Sequence, residues 1–460
     1  MAKAISSGDS LRAVRSRIEA SPAGKVKIAI TDTDGILRGK YINKEKFRSA
    51  LDGGLGFCSV VFGWDSADAC YDEDGYAGWS SGYPDAHARL DLATYREVPW
   101  DRDVPFLLGE FVDEAGGPLP ICPRQVLKRV LARAERAGLT ALTSLEYEFF
   151  HFRETPQSLA AKGFAEPEAL SPGMFGYSLL RLGQSRDYAN ALFDEMAAFG
   201  VPIEGLHTET GPGVMEAAIL YGPALESADR AVLFKDGAKE VGHRFGIMPS
   251  FMAKWNAELP GCSGHIHQSL WDARGRKNLF HDDRDPAKMS ALFKSYLAGQ
   301  MRALPELLPL YAPTVNSYKR LVEGAWAPTK ANWGVDNRTT ALRVIPGGAK
   351  STRLETRVGG SDANPYLALA AAVGSGLWGI EQELSLDAPP ITGSGYADAT
   401  APVLARNLSE ATERFGASQV ARDLFGDAFV EHFTMTRRWE WRQFSKAVTD
   451  WERKRYFEII

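Results

Sequence analysis

Alternating apolar and polar residues at the start of the chain predict β structure. In KVKIAITDTDGILRGKYI (residues 25–42), an alternating arm leads to an Asp-Gly pair, and a second arm carrying Lys and Arg follows. This pattern is typical of two strands joined by a tight turn. A Gly-rich passage with short β-like pieces continues as far as a Gly and Pro cluster in FVDEAGGPLPICP. We therefore predict a small β-rich domain over residues 1–115.

The pattern changes to a helical period after this cluster. In PRQVLKRVLARAERAGL, Val126, Leu127, Val130 and Leu131 share one helical face, and Gly138 follows as a stop signal. Strand-like and helical segments then alternate, which predicts a larger domain over residues 116–460 and an α+β fold class. The strand-like segments are 142–152, 203–220, 247–255, 262–272, 339–346 and 351–358. The helical segments are 185–200, 226–246, 365–384 and 402–418.

Composition and charge narrow the class of protein. The 460 residues are 45% hydrophobic and 24% charged, which suits a large folded core. No apolar run approaches ~20 residues, and the first 20 residues lack the apolar centre of a secretory signal. The four cysteines form no CxxC pair, so we expect free thiols and a cytoplasmic location. A net charge of −5 with interspersed signs argues against a nucleic-acid partner, and we expect no membrane partner.

A pair of carboxylates stands out in the segment LEYEFF. Glu146 and Glu148 are two residues apart, so in a strand both side chains leave the same face. A solvated strand face is the ordinary interpretation of such a pair. Here the flanking residues are apolar, and carboxylates in an apolar setting need a positive partner, for which a divalent cation is well suited.

Further acids, imidazoles and arginines follow in strand-like or loop segments. The acids and imidazoles are Glu209, Glu216, His265, His267 and Glu355, and the arginines are Arg320, Arg338, Arg343, Arg353 and Arg357. Taken singly, each has an ordinary alternative: a surface acid, a satisfied histidine or a solvated ion pair. Together, the carboxylates with imidazole suit Mg²⁺ or Mn²⁺, and the arginines suit phosphate or carboxylate. This combination indicates phosphoryl transfer from ATP.

Six segments, taken in order and spacing, resemble the glutamine synthetase family. They are LEYEFF, the pair Glu209 and Glu216, GHIHQSL, NSYKRL, DNRTTALRV and RLETRVGGSDANPYLALAA. The resemblance covers nearly the whole chain. DTDGILRGK and FCSVVFGWD resemble the N-terminal β-grasp domain of the bacterial type I branch, especially the members that glutamylate amines other than ammonia. The resemblance implies a β-grasp domain followed by a catalytic α/β domain with a curved antiparallel sheet.

The resemblance also implies roles for individual residues. One divalent ion would be held by Glu148, Glu209 and Glu216, and the second by Glu146, His265 and Glu355. ATP would be contacted by His267, Ser269, Arg338, Arg343, Lys350 and Arg353. Arg320 would grip the glutamate α-carboxylate, and Gly261 and Arg357 would make further substrate or phosphate contacts. The implied cofactors are ATP with two or three Mg²⁺ or Mn²⁺ ions, and the implied assembly is a dodecamer of two stacked hexameric rings.

The clearest departure from the family lies in EGAWAP. Ammonia-using members read Pro-Gly-Tyr-Glu-Ala-Pro there, and their glutamate takes the proton of the ammonium ion. Trp326 stands in that place, and an indole donates a hydrogen bond but has no basic nitrogen. We therefore expect Trp326 to line a pocket for an amine with an organic substituent, with simple packing as the alternative. Glu323 and Asp65, the latter reaching a neighbouring subunit's site, are the candidate replacement bases.

Loss of that base also constrains the amine. An alkylamine with a lysine-like pKa of ~10.4 requires roughly 4 to 5 kcal/mol at pH 7 to present its free base. An aromatic amine is already neutral at that pH, so the predicted substrate is a bulky, apolar or aromatic amine. The predicted function is an ATP-dependent ligase that joins L-glutamate to such an amine. The alternatives are glutamine synthetase proper and an inactive sensor or scaffold.

Overall fold

A computed structural model of the protein describes residues 11–460. Near the N-terminus, a six-stranded sheet has the order β2-β1-β6-β4-β3, with β5 paired to β6. Its strands are β1 Lys25–Thr31, β2 Leu37–Asn43, β3 Leu55–Cys58, β4 Asp85–Leu90, β5 Arg96–Val98 and β6 Val104–Val112. Strands β1 and β2 form the predicted antiparallel hairpin, whereas β1 and β6 run parallel.

The hairpin turn is held by its own aspartate. The side chain of Asp32 accepts hydrogen bonds from the backbone N–H groups of Asp34 and Ile36, at 3.0 and 2.9 Å. Gly35 has φ +81°, a left-handed conformation that glycine adopts at no steric cost. The DTDG stretch therefore specifies the turn locally, as the sequence predicts.

A second, nine-stranded sheet carries most of the candidate site. Its order is β13-β14-β15-β12-β7-β9-β8, with β10 and β11 also paired to β7. Its strands are β7 Leu139–Phe152, β8 Ile203–Thr208, β9 Val214–Ile219, β10 Gly222–Pro223, β11 Met248–Ser250, β12 Gly264–Asp272, β13 Trp333–Val335, β14 Leu342–Ile345 and β15 Arg353–Thr356. All pairings are antiparallel except that of β13 with β14.

Helices cover these sheets. They are α1 Leu11–Ala20, α2 Lys44–Gly53, α3 Pro123–Arg136, α4 Pro156–Ala161, α5 Leu179–Gln184, α6 Arg186–Ala198, α7 Ala224–Arg244, α8 Ala291–Leu307, α9 Ser317–Arg320, α10 Pro365–Glu381, α11 Leu408–Gly416, α12 Gln419–Phe425, α13 Asp427–Lys446 and α14 Asp450–Tyr456. The predicted helix over 402–418 was wrong at its start. Helix α11 begins at Leu408, because Asn407 caps it by accepting the backbone N–H of Glu410. Residues 1–10 of the predicted N-terminal segment lie outside the described residues.

The apolar core is continuous between the two sheets. Ala29 of β1 and Phe106 and Leu108 of β6 belong to the same buried cluster as Leu145 and Phe149 of β7. The predicted domain boundary near residue 115 therefore falls between two sheets that share a core, and it stays a prediction.

A buried ion network joins the same two regions. Arg124 of α3 donates to Glu110 of β6 at 2.8 Å and, through two nitrogens, to both carboxylate oxygens of Asp229 of α7 at 3.0 Å. Because these groups are nearly fully buried, loss of one partner would leave an unpaired charge. The network thus holds the first sheet against the second.

None of the helices between residues 11 and 460 has the length and hydropathy needed to cross a bilayer.

Candidate active site

Cross-strand register gathers the predicted metal ligands on one face of the second sheet. Glu146 and Glu148 of β7 point to the same side, and β12 places His265 directly opposite Glu146. On the other flank of β7, Glu216 of β9 lies opposite Glu148. Beyond β12, Glu355 of β15 lies opposite His267. The alternation within each strand and the pairing between strands together build an acid and imidazole cluster.

The imidazoles lie close to the carboxylates of this cluster. His265 Nδ1 is 3.8 Å from Glu146 Oε2 and 3.6 Å from Glu355 Oε1, and His267 Nε2 is 3.2 Å from Glu146 Oε1. Ligand atoms within 4.8 Å of one another form two groups: Glu146 with His267 and Glu355, and Glu146 with Glu216 and His265. Glu146 is thus shared, and His267, which the resemblance gave to ATP, is also within reach of a metal. The division of ligands between two ions stays a prediction.

The negative charge of this cluster favours a bound cation. Burial and the neighbouring carboxylates Glu146, Glu148 and Glu209 raise the pKa of Glu216 to about 9. The buried Nε2 of His265 has no hydrogen-bond partner among residues 11–460. Carboxylate oxygens with imidazole nitrogen are ligands that Mg²⁺ and Mn²⁺ accept. The residues present therefore fit divalent ions of the predicted type.

Two arginines secure Glu355 beside the cluster. Arg343 Nη1 and Arg357 Nη1 donate to its two carboxylate oxygens at 2.8 and 2.5 Å. Burial opposes the charge of Glu355, whose side chain is 1% exposed, but His265 and these arginines hold its pKa down at about 2. Glu355 is therefore an anion that is oriented before any ligand arrives.

A cavity of about 530 Å³ opens over this cluster. Its lining includes all six predicted metal ligands. It also includes the predicted substrate and phosphate contacts Gly261, His267, Arg320, Trp326, Arg338, Arg343, Arg353 and Arg357. The fold thus brings residues from six distant sequence segments to one space, which we call the reaction cavity.

Two predicted ATP contacts lie in a neighbouring groove of about 280 Å³. Ser269 and Lys350 line this groove together with Tyr221, and the groove shares Glu146, His267 and Arg353 with the reaction cavity. Adjoining spaces with shared charged side chains suit a nucleotide whose phosphates reach the reaction cavity. We call this space the nucleotide groove.

The two candidate bases lie outside the reaction cavity of their own chain. Glu323 is exposed on the loop before Trp326 and is absent from the cavity lining. Asp65 accepts the backbone N–H groups of Ala67 and Ala69, at 2.9 and 3.0 Å. The indole Nε1 of Trp439 donates to its other oxygen at 2.9 Å. Neither base is therefore placed at the site within one chain, and both roles stay predictions.

Trp326 lies at the rim of the reaction cavity. Its side chain is 63% exposed, so it is not a core residue. Its φ of +57° is left-handed, an uncommon conformation for a bulky residue. Strained residues of this kind cluster at functional sites, where the surrounding structure holds them in place. The position is that of a pocket-lining residue.

Ser263 and Tyr177 also belong to the site, and neither was predicted from the sequence. The backbone N–H of Ser263 donates to Glu148 Oε2 at 2.7 Å, and its side chain accepts from Arg320 at 3.1 Å. Its place two residues before His265 was the available signal. Tyr177, also left-handed, lines the cavity and contacts the ring of His207, with ring centroids 4.2 Å apart and the two ring planes tilted by 50°. No spacing or periodicity around Tyr177 indicated this role.

Comparison with known proteins identifies the family. A model described as the glutamine synthetase catalytic domain matches residues 120–456. The chain belongs to the glutamine synthetase family. It is therefore an ATP-dependent carbon–nitrogen ligase, as the sequence predicted. Similarity to the solved structure of GmaS with ADP, at a TM-score of 0.84 and 29% identity over 96% of this chain and 99% of that one, confirms the mixed α/β fold with a curved sheet.

The relatives of this glutamine synthetase family member differ in the substrate that their names give. It is 52% identical over 450 residues to "Type-1 glutamine synthetase 2" of Dictyostelium discoideum, covering 97% of this chain and 86% of that protein. It is 36% identical over 451 residues to "Glutamate--isopropylamine ligase" of a Pseudomonas species, covering 97% and 98%. One of these two relatives is thus named as a glutamine synthetase, and the other as a ligase of glutamate and isopropylamine.

Proposed function

We propose that the protein joins the γ-carboxylate of L-glutamate to an organic amine with a bulky, apolar or aromatic substituent, at the expense of ATP. The observation that carries this proposal is Trp326 at the rim of a cavity that is also lined by the six predicted metal ligands and by five arginines. The acids, imidazoles and arginines support acyl activation by ATP. The exposed indole supports an amine larger than ammonia.

The chemistry has two steps. A γ-carboxylate oxygen of glutamate attacks the γ-phosphorus of ATP, the bond to ADP breaks, and γ-glutamyl phosphate forms. The amine nitrogen then attacks the carbonyl carbon, the bond to phosphate breaks, and the nitrogen loses a proton. Divalent ions held by the acid cluster would neutralise phosphate charge.

The arginines of the reaction cavity have distinct surroundings that suit distinct roles. Arg320 is buried and donates to Ser263 Oγ and the Val358 carbonyl, so it is held in place to receive the α-carboxylate. Arg357 is tied to Glu355, and its Nε donates to the Arg338 carbonyl at 3.1 Å. Arg338 and Arg357 thus lie together beside the acid cluster, where transferred phosphate would develop charge.

The lining of the reaction cavity offers no clear base to accept the proton of the attacking amine. Trp326 cannot serve, and in the described chain Asp65 already accepts three hydrogen bonds. An amine that is neutral near pH 7, such as an arylamine, reduces the need for a base. We keep Glu323, and Asp65 from a neighbouring subunit, as the candidate bases for an alkylamine.

We also propose that the protein works in the cytoplasm as a homo-oligomer, a dodecamer of two stacked hexameric rings. The support is the family membership and the exposed position of the loop that carries Asp65. A site shared between subunits would require this assembly.

Ammonia as the substrate is the second candidate. The specific observation in its favour is the 52% identity to a protein named as a glutamine synthetase. Trp326 argues against it, because an indole has no basic nitrogen that could take a proton from the ammonium ion. An inactive sensor or scaffold is disfavoured by the retained cluster of acids and imidazoles.

The test is phosphate release from ATP and L-glutamate with a panel of ammonium, alkylamines, polyamines, ethanolamine and anilines. Wild type is compared with Trp326→Glu, and Trp326→Gln is the matched control that shortens the side chain without adding a carboxylate. We expect a bulky amine to support turnover in wild type, and Trp326→Glu alone to gain activity with ammonium. If ammonium is the best substrate of the wild type, the proposal for an organic amine is wrong. If no amine releases phosphate, the protein is inactive.

A further inference from the structure

An open groove of about 730 Å³ adjoins the reaction cavity. It lies between residues 335–339 on one side and the segment 390–393 on the other. Trp326 and Arg338 line both spaces, whereas the other residues of the groove line neither the reaction cavity nor the nucleotide groove. The two chemical steps described above use none of those other residues. We call this space the distal groove.

The exposed indole of Trp326 connects the two spaces. Its side chain is in the lining of the reaction cavity and in the lining of the distal groove. A molecule that is bound in the reaction cavity and extends past this indole therefore enters the distal groove.

Both walls of the distal groove present apolar surface. Val335, which is 37% exposed, contributes from one wall, and Pro390 and Ile391 contribute from the other. Trp326 adds its indole where the groove meets the reaction cavity. Apolar side chains that stand together on a surface mark ligand-binding grooves or interaction sites, whereas single ones are ordinary. An apolar occupant would remove this surface from water, which is favourable.

The polar side chains of the distal groove are already bonded to protein atoms. Asp336 Oδ1 accepts from Nε and Nη2 of Arg343, at 3.0 and 2.5 Å. Asn337 Nδ2 donates to two backbone carbonyls of the segment 390–393, at 3.1 and 2.8 Å. Asn337 Oδ1 accepts from the hydroxyl of Thr339 at 2.7 Å. A polar occupant would have to compete with these bonds, so the groove favours an apolar one.

Hydrogen bonds also fix the two walls relative to each other. The backbone N–H of Ile391 donates to the carbonyl of Trp333 at 2.9 Å, and the indole Nε1 of Trp333 donates to the carbonyl of Ala388 at 2.9 Å. The two bonds from Asn337 join the same walls further along. The groove is therefore formed before an occupant arrives, which lowers the entropic cost of binding.

We propose that the distal groove binds the apolar tail of the amine substrate, which is a primary amine with a long alkyl or arylalkyl substituent. This inference rests on the proposed function. The amine nitrogen would lie in the reaction cavity, and the tail would pass Trp326 and contact Val335 and Ile391. These two side chains would thus determine which amines are preferred.

A diamine or polyamine fits the distal groove less well than a simple alkylamine. Its second ammonium group would meet Asp336, which is already paired with Arg343, and the cationic Arg338. The ammonium group would also lose hydration beside apolar walls without a new partner in exchange.

A series of amines tests the proposal in the full-length protein. Phosphate release from ATP and L-glutamate is measured with ethylamine, butylamine, hexylamine and phenethylamine. We expect kcat/KM to rise about two- to fourfold with each added methylene group until the groove is filled. We also expect hexamethylenediamine to be a poorer substrate than hexylamine. Equal kcat/KM for ethylamine and hexylamine would overturn the proposal, and a preference for the diamine would refute the apolar tail.

Variants of the groove walls test where the tail lies. Val335→Asp places a charge on one wall, and Val448→Asp, at a valine that is 64% exposed and outside this lining, is the matched control. We expect Val335→Asp to lower kcat/KM for hexylamine about tenfold more than for ethylamine, because the tail would lie beside the new charge. We expect the control to keep the wild-type ratio of the two amines.

A second variant covers the case in which Val335→Asp fails to fold. Thr392→Trp adds bulk from the opposite wall at an exposed residue, so it narrows the groove without disturbing the core. We expect it to cause the same selective loss with hexylamine. Equal losses with hexylamine and ethylamine in the folded variants would show that the tail lies elsewhere.

The outcomes separate this inference from the proposed function. If no organic amine supports phosphate release, the proposed function is wrong and the inference falls with it. If organic amines support turnover but kcat/KM does not depend on the length of the tail, only the inference is wrong.

Discussion

The effect of truncating Trp326 on the unfolding free energy distinguishes a pocket-lining side chain from a core side chain. An aromatic side chain offers 150–250 Å² for burial, and Trp326 is 63% exposed, so it buries roughly 70 Å². At about 25 cal/mol per Å², that burial contributes about 2 kcal/mol at most. Truncation to alanine should therefore cost no more than about 2 kcal/mol of unfolding free energy.

The backbone at this position makes the prediction sharper. With φ at +57°, alanine keeps a strain of about 1 kcal/mol or more that glycine does not have. We expect Trp326→Gly to be at least as stable as Trp326→Ala, although glycine normally weakens a fold. The opposite order of the two variants would refute the left-handed conformation.

Urea unfolding followed by circular dichroism, at one fixed protein concentration, measures these differences. Trp333→Ala is the matched control, because Trp333 is 5% exposed and its truncation should cost about 3 to 5 kcal/mol. If Trp326→Ala loses as much stability as Trp333→Ala, then Trp326 packs a core and its proposed role in amine selection loses its basis.

Three further predictions concern ionisable side chains, two at the site and one, His432, elsewhere in the fold. Lys350→Ala should raise the KM for ATP about tenfold and leave the KM for glutamate unchanged, because Lys350 lines the nucleotide groove but not the reaction cavity. Equal shifts of both constants in steady-state kinetics would contradict this. Glu355→Gln should lower the melting temperature, since it removes an anion bonded to Arg343 and Arg357. It should also weaken Mn²⁺ binding about 10- to 100-fold, because it removes a predicted carboxylate ligand. Unchanged Mn²⁺ binding by electron paramagnetic resonance would count against the role of Glu355 as a ligand. Burial, reinforced by a nearby arginine, lowers the pKa of His432 from 6.5 to about 4, so the unfolded chain binds the extra proton between these values and stability falls as pH drops through this window. His432→Leu should remove up to about 3 kcal/mol of that acid-induced loss in urea titrations, and parallel pH curves for wild type and variant would show that His432 is not the group responsible.

Local patterns in the chain account for the elements of the site more fully than for its assembly. The alternation in LEYEFF places Glu146 and Glu148 on one face of β7, as a period of two requires. The hairpin over residues 25–42 follows from turn chemistry that is complete within a few residues. Helix α11 shows the limit of such patterns, because 402–407 carries helix-compatible residues and only the cap at Asn407 defines the start.

The distances between the site residues depended on strand pairing that no local pattern contains. Glu355 comes within 3.6 Å of His265 because β15 pairs with β12, and β12 with β7. Tyr177 reaches the reaction cavity through hydrogen bonds between its own segment and Thr208 of β8. The resemblance to a known family supplied the list of site residues, and the sheet supplied their geometry.

The sequence by itself determined which chemical groups are available. These are acids, imidazoles and arginines in strand and loop segments, and an indole where the resemblance places a proton-accepting glutamate. These are properties of residue type and near spacing. Only the tertiary structure decided that Trp326 lies exposed and left-handed at the cavity rim, and that Glu355 is buried between Arg343 and Arg357. Burial and exposure are set by segments far away in the chain, because they depend on which surfaces pack together and exclude water.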